Sequence, residues 1–330
     1  MDWKEGTADS CITEREAPRL AIVCPCYNEE ATLGESLERL MDHLTQMSGE
    51  GLCLGDSFVL ISDDGSRDSS WRIIEEWHRR YPERVHGIRL ARNAGHQNAI
   101  MAGMTEAVGL GAEAVVTMDV DLQDDLQAVS DMLRSWREGY DVVYGVKVSR
   151  EADPPLKRFT AKAFYRLQQR MGIEIVYNHA DFRLLSSRVV RELSRYEERN
   201  LYLRGIIPHI GYPSTTVDDH LQPRRAGVSK YTFGKSLRLA LDGITSFSVK
   251  PLYLTMALGG IYILVAIGIG IYVLASLLSG NAEHGWSSMM LSIWFVGGTT
   301  LIALGILGFY VGKTYIEVKH RPLYHIDRKI

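Results

Sequence analysis

Residues 57–103 read SFVLISDDGSRDSSWRIIEEWHRRYPERVHGIRLARNAGHQNAIMAG. Two short apolar runs, at 57–64 and 85–91, are each followed by a segment with helical periodicity, at 66–80 and 97–108. Short apolar runs bounded by turn residues predict buried strands, and strands that alternate with helices predict parallel βαβ units. This stretch therefore predicts two neighbouring strands of a parallel sheet, with helices packed on its faces.

The same alternation continues on both sides of this stretch. Apolar runs at 20–27, 114–121 and 140–146 predict three more strands, and helical patterns at 29–47 and 126–138 predict two more helices. Repeated strand–helix units are typical of α/β domains. We therefore expect a mostly parallel sheet flanked by helices on both faces.

Composition excludes several classes of protein. The 330 residues are 46% hydrophobic and 23% charged, which is enough for one large domain or two modest ones and is unlike a disordered chain. A formal net charge of −3, from 37 basic and 40 acidic side chains, gives no general reason to expect nucleic acid as a partner. The cysteines lack the paired spacing of a metal site and are interpreted as reduced thiols on the cytosolic side: Cys11, Cys24, Cys26 and Cys53.

Two charge-free segments near the end of the chain, at 252–278 and 289–312, are each longer than the roughly 20 residues that cross a bilayer core. They predict a transmembrane hairpin over 249–313, although buried helices of a soluble protein have a similar composition. Residues 1–18 are interpreted as a polar leader, because they lack the apolar region of a signal peptide.

Basic residues precede the first segment and follow the second, whereas the loop between them carries only Glu283. By the positive-inside rule, both ends of the hairpin face the cytoplasm. We expect an integral membrane protein whose catalytic domain, at 19–228, and tail, at 314–330, are cytoplasmic. The flanking basic residues are Lys235, Arg238, Lys250, Lys313, Lys319, Arg321, Arg328 and Lys329.

Polar residues close four of the five predicted strands. Ligands of a parallel sheet bind at the carboxyl ends of the strands, so these residues are candidates for a site. Asp, Asn and Ser at such places are also common as helix caps and turns, and this alternative applies above all to residues 62–66. The candidates are Pro25, Tyr27, Asn28 and Glu29 after the first strand; Asp63, Asp64, Gly65 and Ser66 after the second; Arg92, Asn93, Gly95 and His96 after the third; and Asp119, Asp121, Gln123, Asp124 and Asp125 after the fourth.

The sequence DVDLQDD, at 119–125, predicts a metal site. Strand alternation places Asp119 and Asp121 on one face, about 7 Å apart, where two carboxylates repel each other unless a cation joins them. With the amide oxygen of Gln123 they offer hard oxygen ligands, which suit Mg²⁺ or Mn²⁺ bridged to a diphosphate. The alternative is a solvated acidic loop that caps the next helix. No glycine-rich phosphate loop follows the first strand, which argues against an NAD-dependent enzyme and a kinase.

Two amphipathic segments lie between the predicted sheet and the hairpin, at 157–172 and 229–248. Each places aromatic and aliphatic residues at helical spacing beside Lys and Arg, a pattern typical of helices in the membrane interface but also of ordinary surface helices. An active site at the interface implies a membrane substrate, and an extruded lipid phosphate fits the nearby cations. The candidates for binding that phosphate are Lys147, Lys157, Arg225, Ser229 and Lys230, of which the first two are alternatively plain solvated lysines.

Six motifs follow one another along the chain: CPCYNEEATL, SDDGSRD, ARNAGHQNAIMAG, DVDLQDD, ADFRLLSSR and RRAGVSKYTFGKSLRLALDGITSFSVKPL. In this order they resemble the family-2 glycosyltransferases, and among them the polyprenyl-phosphate glycosyltransferases of the dolichyl-phosphate-mannose-synthase-like branch, over about 20–319. The resemblance implies a GT-A fold, a nucleotide-sugar donor, a divalent metal and a polyprenyl phosphate acceptor. We favour a UDP-sugar over a GDP-sugar as the donor.

The resemblance also implies roles for individual residues. Asp121 and Gln123 hold the metal, and Asp119 lies beside the ribose or the metal. Asp181 matches the family's essential acidic residue and either positions the acceptor or the sugar or assists as a general base, with Arg183 as its support; a structural ion pair is the alternative. The nucleotide sugar is assigned to Pro25, Tyr27, Glu29, Asp63, Asp64, Arg92, Asn93 and Asp119.

The expected reaction is a single displacement. An oxygen of the acceptor phosphate attacks C1 of the sugar, the nucleoside diphosphate leaves, and the anomeric centre inverts. The product is a polyprenyl-phosphate sugar for modification of the cell envelope or of glycans. One departure from the family lies at 125–127, where Asp-Leu-Gln stands in place of Pro-Pro-Glu, so the loop beyond Gln123 has no assigned role.

Three other functions stay open. A processive polysaccharide synthase shares the acidic motif but needs further membrane spans and a Gln-x-x-Arg-Trp motif, which this sequence does not contain. Transfer to another lipid acceptor is the second alternative. A non-enzymatic membrane scaffold is the third, although a scaffold has no need of the acidic strand ends.

Small residues in the predicted hairpin point to an oligomer. Gly259 with Gly260 and Gly297 with Gly298 make faces on which membrane helices pack closely. We expect a homo-oligomer, although the same glycines could pack the hairpin on itself.

Overall fold

The computed structural model describes residues 15–147, 179–196, 198, 202–220, 250–279 and 285–330. The two predicted amphipathic helices, at 157–172 and 229–248, therefore lie outside the described residues. The same is true of Cys11, Lys157, Arg225, Ser229 and Lys230.

The described residues form strands and helices in alternation through the first half of the chain. The strands are β1 (Leu20–Cys26), β2 (Phe58–Asp63), β3 (Val85–Leu90), β4 (Ala114–Thr117), β5 (Val142–Lys147), β6 (His179–Ser186), β7 (Ser214–Asp219) and β8 (Ile326–Lys329). The helices are α1 (Leu33–Gly49), α2 (Ser70–Arg80), α3 (His96–Gly109), α4 (Leu126–Arg137), α5 (Ser187–Leu193), α6 (Leu203–Ile210), α7 (Lys250–Leu278) and α8 (Trp286–Val318).

These strands make one sheet in the order β7-β5-β6-β4-β1-β2-β3-β8. The pairs β1–β2, β1–β4, β2–β3 and β5–β7 are parallel, whereas β4–β6, β5–β6 and β3–β8 are antiparallel. The predicted α/β class, a mostly parallel sheet flanked by helices, is confirmed. The strands β6, β7 and β8 were not predicted; β6 and β8 account for all three antiparallel pairs, whereas β7 is parallel to β5.

Helices cover both faces of the sheet. The apolar residues of α1, α2 and α4 pack on one face, and those of α3, α5 and α6 pack on the other. All seven residues of β1 are buried. A strand that is covered on both faces reads as a continuous apolar run, which explains why the central strands stand out in the sequence.

Three predicted element boundaries are wrong in the same way. The fourth strand ends at Thr117 and not at 121, α1 begins at Leu33 and not at 29, and α2 begins at Ser70 and not at 66. After β1 and β2 the polar residues form loops, because side chains there bond to backbone groups of a neighbouring loop, as Asn28 does with Arg67 and Asp64 does with Ala94. The longer loops place these side chains at the carboxyl edge of the sheet.

Arg15, near the end of the predicted polar leader, contacts residues around α4. The Arg15 guanidinium donates to the Gly139 carbonyl at 2.9 Å and to Asp141 Oδ1 at 3.2 Å. It also lies 5.0 Å from the ring centre of Trp136. Arg15 is therefore bound to the catalytic domain, because the buried Asp141 carboxylate attracts a cation.

The two predicted membrane segments are helical. Among the described residues, one helical segment, Phe295–Val318, is long and apolar enough to cross a membrane, and no residue of its most apolar stretch is buried in the protein. The rings of Tyr262 in α7 and Phe295 in α8 lie 5.8 Å apart, so the two helices touch. The transmembrane hairpin as a whole stays a prediction.

The chain returns to the sheet after α8. Strand β8 pairs with β3 in antiparallel orientation, and Ile330 packs against the core on the α1 side. The predicted tail at 314–330 thus contains an edge strand of the catalytic sheet. The sequence IDRK carries no alternating pattern that could have revealed it.

The thiols described by the structure are free and buried, in agreement with the interpretation as reduced cysteines. They are Cys24, Cys26 and Cys53. Burial raises the pKa of Cys26 to about 12, so its thiolate is absent at neutral pH.

Candidate functional site

The carboxyl ends of β1, β2 and β3 surround a cleft with a volume of about 370 Å³. Three cationic side chains line it, and we name it the arginine cleft. Guanidinium groups in such a cleft suit an anionic ligand such as a diphosphate. The lining residues are Tyr27, Gly65, Ser66, Arg67, Arg89, Leu90, Ala91, Arg92, Asn93 and Asp327. The cleft therefore contains Tyr27, Arg92 and Asn93 from the predicted nucleotide-sugar residues.

Asp63 and Asp64, also predicted for the nucleotide sugar, lie behind the cleft lining and hold its loops. The Asp64 carboxylate accepts hydrogen bonds from the backbone N–H groups of Ala94 at 2.6 Å and Gly95 at 3.0 Å. Asp63 Oδ1 accepts the Ser66 N–H at 3.1 Å. Burial raises the pKa of both carboxyls above the usual range. Their contacts to the loops support the cleft from within the protein.

The loop after β1 is tied to the loop after β2. The Asn28 side chain accepts the Arg67 N–H at 2.9 Å, and the Asn28 N–H donates to Ser66 Oγ at 2.9 Å. The Glu29 N–H donates to Ser70 Oγ at 3.0 Å. Pro25, a further predicted residue, is buried inside β1 and takes no part in the lining of the cleft.

Gly65 brings two loops of the cleft together. Its φ is +69°, and a Cβ atom at this position would lie 2.8 Å from the Arg92 carbonyl carbon and 2.9 Å from the Asn93 nitrogen. Only glycine adopts this conformation readily, and only glycine leaves room for the neighbouring backbone.

We expect Gly65→Ala to destabilise the protein by about 1–3 kcal/mol and to weaken nucleotide binding, because the loop with Arg92 and Asn93 must move away. Thermal unfolding and calorimetric titration with a nucleoside diphosphate measure the two effects. Gly34→Ala in α1 is the control, because nothing lies within 4 Å of a Cβ there and its stability should be unchanged or slightly higher. A Gly65→Ala protein with wild-type stability and affinity would show that the close approach is unimportant.

The acidic residues after β4 lie in a tight turn, and their prediction from strand alternation is wrong. Leu122 has a φ of 47°, and its N–H donates to the Asp119 carbonyl at 3.2 Å. The Gln123 side-chain amide donates to Asp121 Oδ2 at 2.8 Å. We name residues 118–125 the acidic turn. Its hydrogen bonds bring the predicted ligands together even though the strand has already ended.

The oxygen atoms of the acidic turn fit a metal ion that is also coordinated by a bound ligand. In the parts of the chain that the structure describes, no group of three His, Cys, Asp or Glu side chains is arranged to hold a metal alone. The Asp119 side chain is 56% exposed. Desolvation by the surrounding protein nevertheless raises the pKa of its carboxyl. The charge of His96 acts to lower this pKa, whereas the charges of Asp181 and Asp121 act to raise it. Mg²⁺ and Mn²⁺ typically use one or two carboxylates together with substrate phosphates.

The end of the acidic turn is a helix cap. The Asp125 carboxylate accepts the Gln127 N–H at 3.0 Å at the start of α4, and the Asp125 N–H donates to Asp219 Oδ1 at 3.0 Å. For Asp125 the capping alternative is therefore confirmed.

Asp124 lies within the acidic turn, and Lys147 lies beside it. Burial, helped by the charges of Asp119 and Asp219, raises the pKa of Asp124 to about 7, whereas Lys147 acts against the rise. Lys147 ends β5 opposite Asp219 of β7. This lysine, predicted for the acceptor phosphate, therefore lies close to the acidic turn.

Asp181 is the centre of an ion-pair cluster. Its carboxylate accepts hydrogen bonds from Arg183 Nη2 at 2.7 Å and from Arg204 at 3.3 and 3.2 Å. His96 Nε2 lies 3.4 Å from Asp181 and 3.7 Å from Asp119. Burial alone would raise the pKa of Asp181, but Arg204, His96 and Arg183 outweigh it and hold this pKa well below the usual range. A carboxylate of this kind binds a proton too weakly to act as a strong base.

His96 was a candidate with no predicted role, and Arg204 was not predicted as a site residue. His96 opens α3 directly after the loop at 91–95, and its place after a strand end was the only signal. Arg204 comes from α6, far along the chain, and nothing in its local sequence marks it. Burial acts to lower the pKa of His96, but the hydrogen bond to Asp181 and the charge of Asp119 outweigh it and raise this pKa.

The chain is similar in sequence to known glycosyltransferases. The model of the family described as Glycosyl transferase family 2 matches residues 21–194. The uncharacterized glycosyltransferase YkoT of Bacillus subtilis (strain 168) is 42% identical over 314 residues, which cover 95% of this chain and 93% of that protein. The prophage bactoprenol glucosyl transferase homolog of Escherichia coli (strain K12) is 35% identical over 312 residues, which cover 94% of this chain and 99% of that protein.

A solved structure is also similar. The mannosyltransferase PcManGT from Pyrobaculum calidifontis, in complex with GDP-Man and Mn²⁺, is 14% identical, with coverage of 92% of this chain and 91% of that chain and a TM-score of 0.43. The family match spans more than half of this chain, and the sequence relatives align along nearly all of it. The chain is a glycosyltransferase and belongs to glycosyl transferase family 2.

Proposed function

We propose that this protein transfers a sugar from a nucleotide sugar to a polyprenyl phosphate at the membrane surface. The observation that carries the proposal is one sheet edge that holds an arginine cleft, an acidic turn and an ion-paired Asp181. The acceptor is supported by relatives named bactoprenol glucosyl transferase, since bactoprenol is a polyprenol. The donor is a nucleoside diphosphate sugar, with a UDP-sugar favoured.

The acidic turn is the place for a divalent cation. Asp121, Gln123 and Asp119 would hold Mg²⁺ or Mn²⁺, and the cation would neutralise the charge that develops on the leaving diphosphate. The Gln123 amide nitrogen already donates a hydrogen bond to the Asp121 carboxylate, so the two side chains lie next to each other. Lys147 adds a positive charge beside the turn and is the candidate for binding the acceptor phosphate.

Asp181 is proposed as a positioning residue and not as a base. A phosphate monoester is already anionic near neutral pH, so its oxygen can attack C1 of the sugar without a proton acceptor. The ionised Asp181 fixes Arg204 and His96, and His96 lies between it and Asp119. These two groups would orient the sugar or the acceptor phosphate, and one in-line displacement would invert the anomeric centre.

The C-terminal helices are proposed as the membrane anchor. Large apolar side chains of α8 face outward, among them Leu301, which is 71% exposed, and Ile302, which is 65% exposed. Such a surface requires lipid or a partner. Because β8 returns to the catalytic sheet after α8, a hairpin that crosses twice keeps both ends of the anchor on the cytoplasmic side, as the flanking charges predict.

Glycolipid formation by the purified protein tests the function. Detergent-solubilised protein is incubated with polyprenyl phosphate, Mg²⁺ or Mn²⁺ and a panel of UDP- and GDP-sugars, and the lipid is analysed by mass spectrometry. We expect one donor to add a single sugar mass to the lipid. If no donor in the panel gives a glycolipid while the protein is folded, the proposal is wrong.

A further inference from the structure

The C-terminal strand is built into the donor side of the sheet. Gly87 N–H donates to the Ile330 carbonyl at 3.0 Å, and Ile330 N–H donates to the Gly87 carbonyl at 2.9 Å. Ala91 N–H donates to the His325 carbonyl at 2.8 Å, which fixes the loop that leads to Arg92. Residues near the end of the chain therefore hold a wall of the arginine cleft.

A β-bulge in this strand aims one side chain at the cleft. Arg89 pairs with Arg328 and Leu90 pairs with Ile326, so Asp327 is an extra residue on β8. Bulges reorient a side chain and are common beside active sites. Asp327 lines the arginine cleft. Among the described residues that line this cleft, it is the only one with a carboxylate side chain. Its side chain is 51% exposed, and Arg328 Nε lies 3.7 Å from Oδ2.

The order of the strands indicates which part of a donor reaches Asp327. The acidic turn follows β4, and β8 lies four strands away across β1, β2 and β3. At about 4.8 Å per strand the separation is about 19 Å. A nucleotide sugar whose diphosphate lies between the acidic turn and the guanidinium groups of the arginine cleft would extend its nucleoside toward β8. A carboxylate repels a diphosphate but accepts hydrogen bonds from the O–H and N–H groups of a nucleoside.

We infer that Asp327 binds the nucleoside of the donor by accepting a hydrogen bond from a ribose hydroxyl or a base N–H. The inference rests on the proposed function, because it takes the arginine cleft as the nucleotide site. It makes the C-terminal strand a part of the donor site. Since α8 ends at Val318 and β8 begins at Ile326, a short connection ties the membrane anchor to nucleotide binding.

Binding of nucleoside diphosphates and of pyrophosphate tests this assignment. Full-length wild-type protein and the Asp327→Ala and Asp327→Asn variants are titrated calorimetrically with UDP, GDP and inorganic pyrophosphate in the presence of Mn²⁺. For the better of the two nucleotides, we expect about tenfold weaker binding by Asp327→Ala, as for loss of a hydrogen bond to a charged group, and partial recovery by Asp327→Asn. Pyrophosphate affinity should be unchanged, because it lacks the nucleoside.

Lys329→Ala is the matched control. Lys329 lies on the same strand but contacts Glu106 away from the cleft, so its loss should leave nucleotide affinity unchanged. Wild-type nucleotide affinity of Asp327→Ala, or an equal change in pyrophosphate affinity, would overturn the assignment. Failure of the wild-type protein to bind any nucleoside diphosphate would overturn the proposed function together with this assignment, whereas nucleotide binding that Asp327→Ala leaves unchanged would overturn the assignment alone.

Discussion

Asp181→Asn should lower the rate of sugar transfer about a thousandfold, which corresponds to about 4 kcal/mol of lost transition-state stabilisation. Asparagine keeps the shape of the side chain but removes the charge that holds Arg183, Arg204 and His96. Arg183 is fully buried, so it would be left without its counter-charge. The orientation of the groups around the reacting sugar would be lost with it.

The measurement is the initial rate of glycolipid formation, together with thermal unfolding and nucleoside diphosphate affinity. Asp131→Asn is the control, because Asp131 makes an exposed pair with Arg134 on the surface of α4. Retained nucleotide affinity with a lost rate would separate a local effect from unfolding. A rate for Asp181→Asn within about threefold of wild type would contradict the assigned role.

The pH dependence of stability follows from the same cluster. Because the pKa of Asp181 is held well below its usual range, the ionised carboxylate stabilises the fold fully above the unfolded-state value of about 4. This contribution is lost as the pH falls from there through the folded-state pKa. Between pH 6 and 8 the charge of Asp181 does not change, so this residue adds no titration to the rate in that range.

Asp121→Asn should lower the transfer rate at least about a hundredfold and weaken the dependence on added Mn²⁺. The amide oxygen can still accept the Gln123 hydrogen bond, so the acidic turn should keep its shape. The substitution removes a negative ligand, and a metal site of one or two carboxylates depends strongly on each of them. Initial rates against Mn²⁺ concentration and direct Mn²⁺ binding by electron paramagnetic resonance measure both effects.

Asp125→Asn is the matched control for this variant. Asparagine is as good a helix cap as aspartate, so α4 should remain stable and the rate unchanged. Full activity of Asp121→Asn with an unaltered response to Mn²⁺ would show that the acidic turn is not the metal site.

The central strands could be predicted because their environment is simple. Strands β1, β2 and β4 are covered on both faces, so every position is buried and the runs are mostly apolar, with polar residues only at the ends of β2 and β4. Strand β6 could not be found in the same way. It carries Asp181 and Arg183, whose charges satisfy each other inside the protein and interrupt the apolar run.

Site residues that follow predicted strand ends could be predicted, whereas site residues that come from distant parts of the chain could not. Tyr27, Arg92 and Asn93 follow strand ends, and the parallel sheet brings such ends to one edge. Arg204 comes from α6 and Asp327 comes from the C-terminal strand. No sequence pattern around either residue predicts its place at this edge. Asp119 and Asp121 were selected from an alternation that the structure does not contain, although a turn brings them together.

The central claim is that this sheet edge delivers a sugar to a phosphate group held in the membrane. Its most direct test compares three acceptors, namely polyprenyl phosphate, the same polyprenol without phosphate, and diacylglycerol, with one accepted donor and Mn²⁺. Mass spectrometry with fragmentation of the lipid identifies the atom that carries the sugar. We predict product from polyprenyl phosphate alone, with the sugar on the phosphate. Equal product from polyprenol or diacylglycerol, or free sugar without glycolipid, would contradict the claim.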